Sequence, residues 1–213
     1  MPLLQHYNGG GGYTEAILAD QKQRSKIQGA TGLSRIILLT GRPGIGKTTV
    51  LLRIVDELKK RNLLVDGFIS REFREHGRRV GFKIISLSDG REGWLAHVMQ
   101  PTGPRIGKYK VCIEDLESIG VDAILRAIDR ADVIIIDEIG PMELLSRRFK
   151  RAVYEAFNSG KPILGTIHYR IRSSFLSEFK GKTDITVIEV TLENRDDLPL
   201  RIASEVLKVM GRS

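Results

Sequence analysis

The stretch Ile36-Ile37-Leu38-Leu39-Thr40-Gly41-Arg42-Pro43-Gly44-Ile45-Gly46-Lys47-Thr48 decides the fold class. Four apolar residues in a row read as a strand buried on both faces. Gly41 to Thr48 then matches the pattern G-x-x-x-x-G-K-[ST]. From Thr48 to Lys60 the apolar residues Leu51, Ile54, Val55 and Leu58 recur at helical spacing. Strand, glycine-rich turn and helix in that order are what a phosphate-cradling loop requires. Its glycines let consecutive backbone N–H groups turn towards phosphate oxygens where side chains would obstruct, and the helix N-terminus adds partial positive charge. Lys47 then reaches the terminal phosphates, and the Thr48 hydroxyl is placed to ligate Mg²⁺.

Downstream, short apolar runs alternate with helix-period segments, the signature of βαβ units and a mainly parallel sheet. Strands are predicted over 63–70, 133–136, 162–167 and 185–191. Helices are predicted over 112–130, 143–158 and near 170–179, with a last one starting around Leu198-Pro199. One excursion breaks the alternation. Residues 79–87 and 92–98 read as antiparallel strands joined by Asp89-Gly90, a strong hairpin signal.

The run Val133-Ile134-Ile135-Ile136 delivers Asp137 and Glu138 to the carboxyl end of a buried strand, the edge at which open α/β sheets bind ligands. Adjacent strand residues point to opposite faces, so the two acids are expected to differ in role. Asp137 is assigned to Mg²⁺, through a coordinated water, and Glu138 to orienting and deprotonating an attacking water. Glu143 reads as a first-turn acid complementing a helix dipole, with a reserve role as base. Thr166 and His168 fall at the end of a neighbouring strand, where they could sense the γ-phosphate; His168 reads better as a loop histidine. His6, His76 and His97 show no ligand spacing. Arg71, Arg74, Arg78 and Arg79 cluster on the hairpin, followed by Arg105, Lys108 and Lys110. They read as a solvated basic face, the alternative being a surface for an anionic second substrate or a nucleic-acid backbone.

At 213 residues with a formal charge of +8, 41% hydrophobic and 28% charged, the chain has the composition of a globular domain rather than a collagen-like or disordered one. The single cysteine, Cys112, rules out an internal disulfide framework and a cysteine-based metal site. Apolar runs stop at four residues, against the ~20 needed to span a bilayer, and the first residues carry no signal-peptide pattern. A cytoplasmic chain with no membrane association is expected. Residues 1–34, with Gly9 to Gly12 and a thin apolar stripe, read as a partly mobile N-terminal appendage, and 35–213 as the folded domain.

The combination of Gly41 to Thr49, Gly67-Phe68, Gly81-Phe82, Val133 to Leu144 and Glu193-Asn194-Arg195-Asp196 resembles the thermophilic-type nucleoside-triphosphatase family, also called the cancer-related nucleoside-triphosphatase family, within the P-loop NTPases. The resemblance covers about residues 35–210. It implies a RecA-like three-layer α/β/α sandwich with a mainly parallel sheet, an antiparallel hairpin extension, and a strand between those carrying the phosphate loop and Asp137. It implies hydrolysis of ATP, GTP and other nucleoside triphosphates to diphosphate and phosphate. The nucleotide-binding residues carried over are Gly41, Arg42, Pro43, Gly44, Ile45, Gly46, Lys47 and Thr48 (Walker A) with Val133, Ile134, Ile135, Ile136, Asp137, Glu138, Ile139 and Gly140 (Walker B). Lys47 and Glu138 are the catalytic pair, and Thr48 and Asp137 the magnesium pair. Asn194 and Arg195 match a run near the base, which puts Arg195 against the base plane.

Two other classes share parts of this pattern. A nucleoside or nucleotide kinase has the same loop, but an acid directly after the metal-binding Asp137 suits activation of water, and no arginine-rich lid is visible. A nucleic-acid-dependent ATPase fits the charge, but aromatics are only 6% and are read as showing no interleaving with the basic cluster. No arginine finger is assigned; Arg42, Arg71 and Arg147 are candidates. A monomer acting on nucleoside triphosphates is the expectation.

Overall fold

The computed structural model describes residues 34–179 and 184–212, so the appendage read over 1–34 lies outside the described residues except for Ser34. That residue is buried, its hydroxyl donating to the Asp184 carbonyl at 2.8 Å. The strands are β1 (Ile36–Thr40), β2 (Val65–Glu75), β3 (Arg78–Ser86), β4 (Glu92–His97), β5 (Arg105–Ile106), β6 (Tyr109–Val111), β7 (Val133–Ile139), β8 (Ile163–Ile167) and β9 (Ile185–Glu189). The helices are α1 (Lys47–Lys59), α2 (Asp122–Arg130), α3 (Arg147–Asn158), α4 (Arg172–Ser177) and α5 (Leu198–Val209). The strands form one sheet in the order β5-β6-β4-β3-β2-β7-β8-β1-β9. From β2 to β9 across that sheet the pairs are parallel, and from β2 to β5 they are antiparallel.

Period-two alternation sorts the parallel strands into two cores. Ile36, Leu38, Ile134 and Ile136 face α2 and α3, where Ile124, Phe149 and Val153 meet them. Ile37, Leu39, Val133 and Ile135 face α1 and α5, against Leu51, Ile54, Ile202 and Val206. Helices on both faces make the three layers, and each large side chain removed from water contributes about 1.5–3 kcal/mol. Strand β8 lies between β1 and β7, as the resemblance implied. Among the described residues no helix is long and apolar enough to cross a membrane.

The antiparallel half is larger than the sequence suggested. Strand β2 does not stop at Ser70 but runs to Glu75 and turns back through His76 and Gly77, both at positive φ, into β3. It pairs with β7 only as far as Phe68 opposite Ile136, and beyond that point with β3 alone. The β2–β3 ribbon therefore projects past the carboxyl edge of the parallel strands. The two- and three-residue strands β5 and β6 extend the same wall and are too short to show a period. The helix expected over 112–130 is continuous but carries a π-helical segment, Leu116–Val121, where Gly120 lies against Ile84. The helix expected from 143 begins only at Arg147, capped by the Ser146 hydroxyl accepting from the Phe149 N–H.

At Gly67 the backbone of β2 leaves no room for a side chain against β7. Its φ is +133°, and a Cβ there would lie 2.0 Å from the Ile135 carbonyl oxygen. Gly67→Ala is therefore expected to destabilise the domain by about 3 kcal/mol or more, measured as a lowered urea midpoint. An unchanged midpoint would contradict the packing described.

Candidate active site

The loop after β1 is shaped by its glycines. Gly44 and Gly46 sit at φ +78° and +108°, conformations that side-chain-bearing residues rarely take. Gly46 precedes α1, and no side chain caps that helix. Its N-terminus is thereby open to an anion. The Lys47 ammonium folds back over the loop, donating to the Gly41 carbonyl at 3.4 Å.

Strand β7 carries the acids, but not as the alternation rule predicts. The strand extends through Asp137 and Glu138 to Ile139, and its register against β8 shifts between Ile136 and Ile139. Alternation is broken there, and both carboxyl groups come within the field of Lys47. Asp137 is fully buried, with Oδ1 accepting from the Thr166 hydroxyl at 2.6 Å. Burial raises its pKa, opposed by Thr166, by the nearby Thr48 hydroxyl, by the Ser70 N–H and by Lys47. Its other oxygen, Oδ2, has no hydrogen-bond partner among the described residues, and neither has Glu138 Oε1. Burial pushes the Glu138 carboxyl up to about 7; Lys47 opposes this and Asp137 adds to it.

Two carboxylate oxygens buried without partners are costly unless something else meets them. An unpartnered oxygen on a carboxyl group close to the Thr48 hydroxyl suits a hard cation. Among the described residues no cluster of three His, Cys, Asp or Glu is built to cage a metal. That combination fits Mg²⁺, which takes one or two protein ligands and completes its shell with water and phosphate oxygens.

A cavity of about 440 Å³ joins these parts. Gly41, Pro43, Gly44, Lys47 and Thr48 line one side, Glu138 and Glu143 lie midway, and Phe82, Leu95, Ile106 and Tyr109 line the far end under the projecting ribbon. Of residues 133–140 only Glu138 reaches the lining. Val133 to Ile136 and Ile139 are sheet core with no exposed surface, and Gly140 packs against Glu143. Arg42, Ile45 and Gly46 shape the loop without lining the cavity. Thr166 holds Asp137 rather than facing the cavity, whereas His168 does line it. Burial, then Lys47 and Arg170, lower the His168 pKa and favour the neutral imidazole. Asn194 is engaged within its own turn, Oδ1 accepting from the Thr191 N–H and Nδ2 donating to the Glu189 carbonyl. Neither Asn194 nor the exposed Arg195 lines the cavity.

Two readings of the sequence need correction. Glu143 is not a first-turn acid: it sits in a 3-10 turn (Glu143–Leu145) ahead of α3, buried, with Oε2 against Gly140. Burial, and after it the Glu138 carboxylate, push it up to about 8. The basic cluster is also not free of aromatics. The Arg79 guanidinium lies 5.3 Å from the Phe82 ring centre and 5.8 Å from that of Tyr109, and Lys83 lies 3.9 Å from that of Trp94. Arg79 donates to the Tyr109 hydroxyl and to Glu72. It lines the cavity, which Arg42, Arg71 and Arg147 do not. Sequence reasoning left Arg79 in a solvated face because its ring partners come from another strand and from its own strand three residues on.

Glu143 makes this geometry testable in the nucleotide-free protein. Below the ordinary carboxyl value of 4.5 folded and unfolded chains both hold its proton, while from there to about 8 only the folded chain does. Stability contributed by this group therefore falls as pH rises through that window. Glu143→Gln is expected to raise stability by about 2–4 kcal/mol near pH 8 relative to its effect at the acid end, measured by urea denaturation. An equal effect at both ends would show that the carboxyl is not held neutral.

Comparison with known proteins gives the chain's family. The chain matches the family described as NTPase over residues 36–203. It is 51% identical over 176 residues to nucleoside-triphosphatase THEP1 of Thermofilum pendens, covering 82% of this chain and 97% of that one. To nucleoside-triphosphatase THEP1 of Methanocaldococcus jannaschii it is 44% identical over 171 residues, with 80% and 96% covered. The crystal structure of THEP1 from Aquifex aeolicus superposes with a TM-score of 0.69 at 33% identity, covering 80% of this chain and 98% of that one. The solution structure of a human cancer-related nucleoside triphosphatase also gives 0.69, at 35% identity with 82% and 98% covered. By sequence, fold and the placement of its phosphate loop, the chain belongs to the THEP1 nucleoside-triphosphatase family.

Proposed function

We propose that this chain is a Mg²⁺-dependent nucleoside-triphosphatase that hydrolyses ATP, GTP and other nucleoside triphosphates to diphosphate and phosphate. The observation that carries the reading is one cavity in which Lys47 and Thr48 of the phosphate loop face Glu138, with Asp137 and its unpartnered Oδ2 beside Thr48. Loop N–H groups and Lys47 hold the β- and γ-phosphates, which all nucleoside triphosphates share, and this supports broad base specificity. Asp137 and Thr48 would hold Mg²⁺, which would supply positive charge against the phosphate oxygens. Glu138 Oε1 accepts the proton of the attacking water. A carboxyl at about 7 is close to the working pH, where general-base catalysis is most efficient. A neutral Glu143 beside it spares the site a third buried negative charge. The same reading has a monomer working in the cytoplasm, where nucleoside triphosphates are made and the free Cys112 stays reduced.

Product analysis tests this directly. ATP and GTP are expected to yield diphosphate and phosphate in equal amounts, and chelation of Mg²⁺ to stop the release. Lys47→Ala removes the sole cation among the cavity residues of the loop, and kcat/KM should fall by about 10²–10⁴-fold through both affinity and rate. Undiminished turnover in that variant would refute the assigned loop.

A further inference from the structure

The cavity, about 440 Å³ in all, is lined at one side by the phosphate loop and continues past Glu138 to residues of β3, β4, β5 and β6, on the side of β7 away from β1. Strand β3 stands two strands from β7, roughly 10 Å across the sheet. The space between is roofed by the projecting ribbon and by the β5–β6 hairpin. Its far end is apolar and aromatic: Phe82 and Tyr109 meet edge to face at 5.2 Å, with Leu95, Ile106 and Met142 alongside. Phe82, Ile106 and Met142 keep part of their surface exposed. The Arg79 guanidinium closes that end, held by the Tyr109 hydroxyl at 2.9 Å and by Glu72 at 3.0 Å.

The nucleoside of the triphosphate cannot be what fills this end. In phosphoryl transfer the attacking and leaving oxygens lie in line on opposite sides of the γ-phosphorus. Glu138 marks the attacking side, so the diphosphate and its nucleoside leave the other way. A half-open, largely apolar end with one guanidinium held in place by Tyr109 and Glu72 is what small-molecule sites look like.

We propose that this chamber is an acceptor subsite for a small aromatic or heteroaromatic alcohol, to which the protein transfers the γ-phosphoryl group in competition with water. The proposal rests on the placement of the γ-phosphate between Lys47 and Glu138 argued above. The ring lies against Phe82 and Tyr109, a ring acceptor or anionic substituent meets Arg79, and the hydroxyl reaches back to Glu138. The acceptor oxygen bonds to the γ-phosphorus as the bond from that phosphorus to the diphosphate oxygen breaks. The hydroxyl proton passes to the Glu138 carboxylate, and the nucleoside diphosphate leaves with the electron pair. A bound acceptor gains over water through orientation, which can outweigh the much higher concentration of water.

The experiment uses the full chain with Mg²⁺ and γ-labelled ATP or GTP. Adenosine, guanosine, cytidine, uridine, thymidine, pyridoxine and benzyl alcohol are each supplied at millimolar concentration, with glycerol and ethanol as aliphatic controls. Label on the organic product and label released as phosphate are measured in the same tube. Label is expected on at least one ring alcohol and on neither control. Ile106→Trp, which fills the chamber from the hairpin tip, should lower the ratio of transferred to released label by roughly tenfold or more. Release to water alone with every ring alcohol overturns the proposal while leaving the hydrolase reading intact. Equal labelling of glycerol, or a ratio unchanged in Ile106→Trp, also overturns it. Neither release nor transfer in any tube would mean that the underlying hydrolase reading has failed instead.

Discussion

Three carboxyl groups, Asp137, Glu138 and Glu143, crowd together out of water with a single ammonium group, Lys47, acting on the first two. Most of the site follows from that imbalance. Burial penalises each charge, and a single lysine cannot offset three of them. The molecule resolves this in graded fashion. Asp137 is given hydrogen bonding by Thr166 and the proximity of Thr48. Glu138 is left close to neutral pH, at about 7. Glu143, buried and in the field of Glu138, is pushed to about 8 and holds its proton. The unpartnered oxygens left over, Asp137 Oδ2 and Glu138 Oε1, are the two atoms to which the proposed mechanism gives roles, one towards a cation and one towards a nucleophile's proton.

The sheet divides the work. Its parallel half, β2-β7-β8-β1-β9, is covered on both faces and brings the phosphate loop and the acids to one edge, with β8 setting their separation. Its antiparallel half departs from that frame where β2 passes Phe68 and leaves β7. From there the ribbon overhangs the edge and adds an apolar, aromatic wall to a site that is otherwise polar. The polar side is general to nucleotide-binding sheets. The overhang gives this site its apolar side.

How much of this was legible in the sequence depended on how local each signal is. The phosphate loop is read from eight consecutive residues whose order forces the geometry, and the strand carrying Asp137 and Glu138 announces itself by its uninterrupted apolar run. Both stand where the sequence placed them, and β8 lies between their strands. What failed depends on contacts between distant segments. The acids were expected on opposite faces because alternation is a rule for regular strands, and β7 is irregular at that point. Glu143 looked like a helix-start acid because nothing local shows that α3 waits for Ser146 and that Gly140 packs beneath the carboxylate. Arg79 looked solvated because Tyr109, thirty residues away in the chain, is what holds it. The strands β5 and β6 were missed because two or three residues cannot show a period.

The account stands or falls on Glu138 as the proton acceptor at the γ-phosphate. Single-turnover cleavage of bound ATP by Glu138→Gln, beside its equilibrium affinity for ATP, isolates that role. If the account is right, affinity stays within a few-fold of wild type while the cleavage step slows by about 10²–10⁴-fold. Cleavage at the wild-type rate, or a loss confined to affinity, would contradict it.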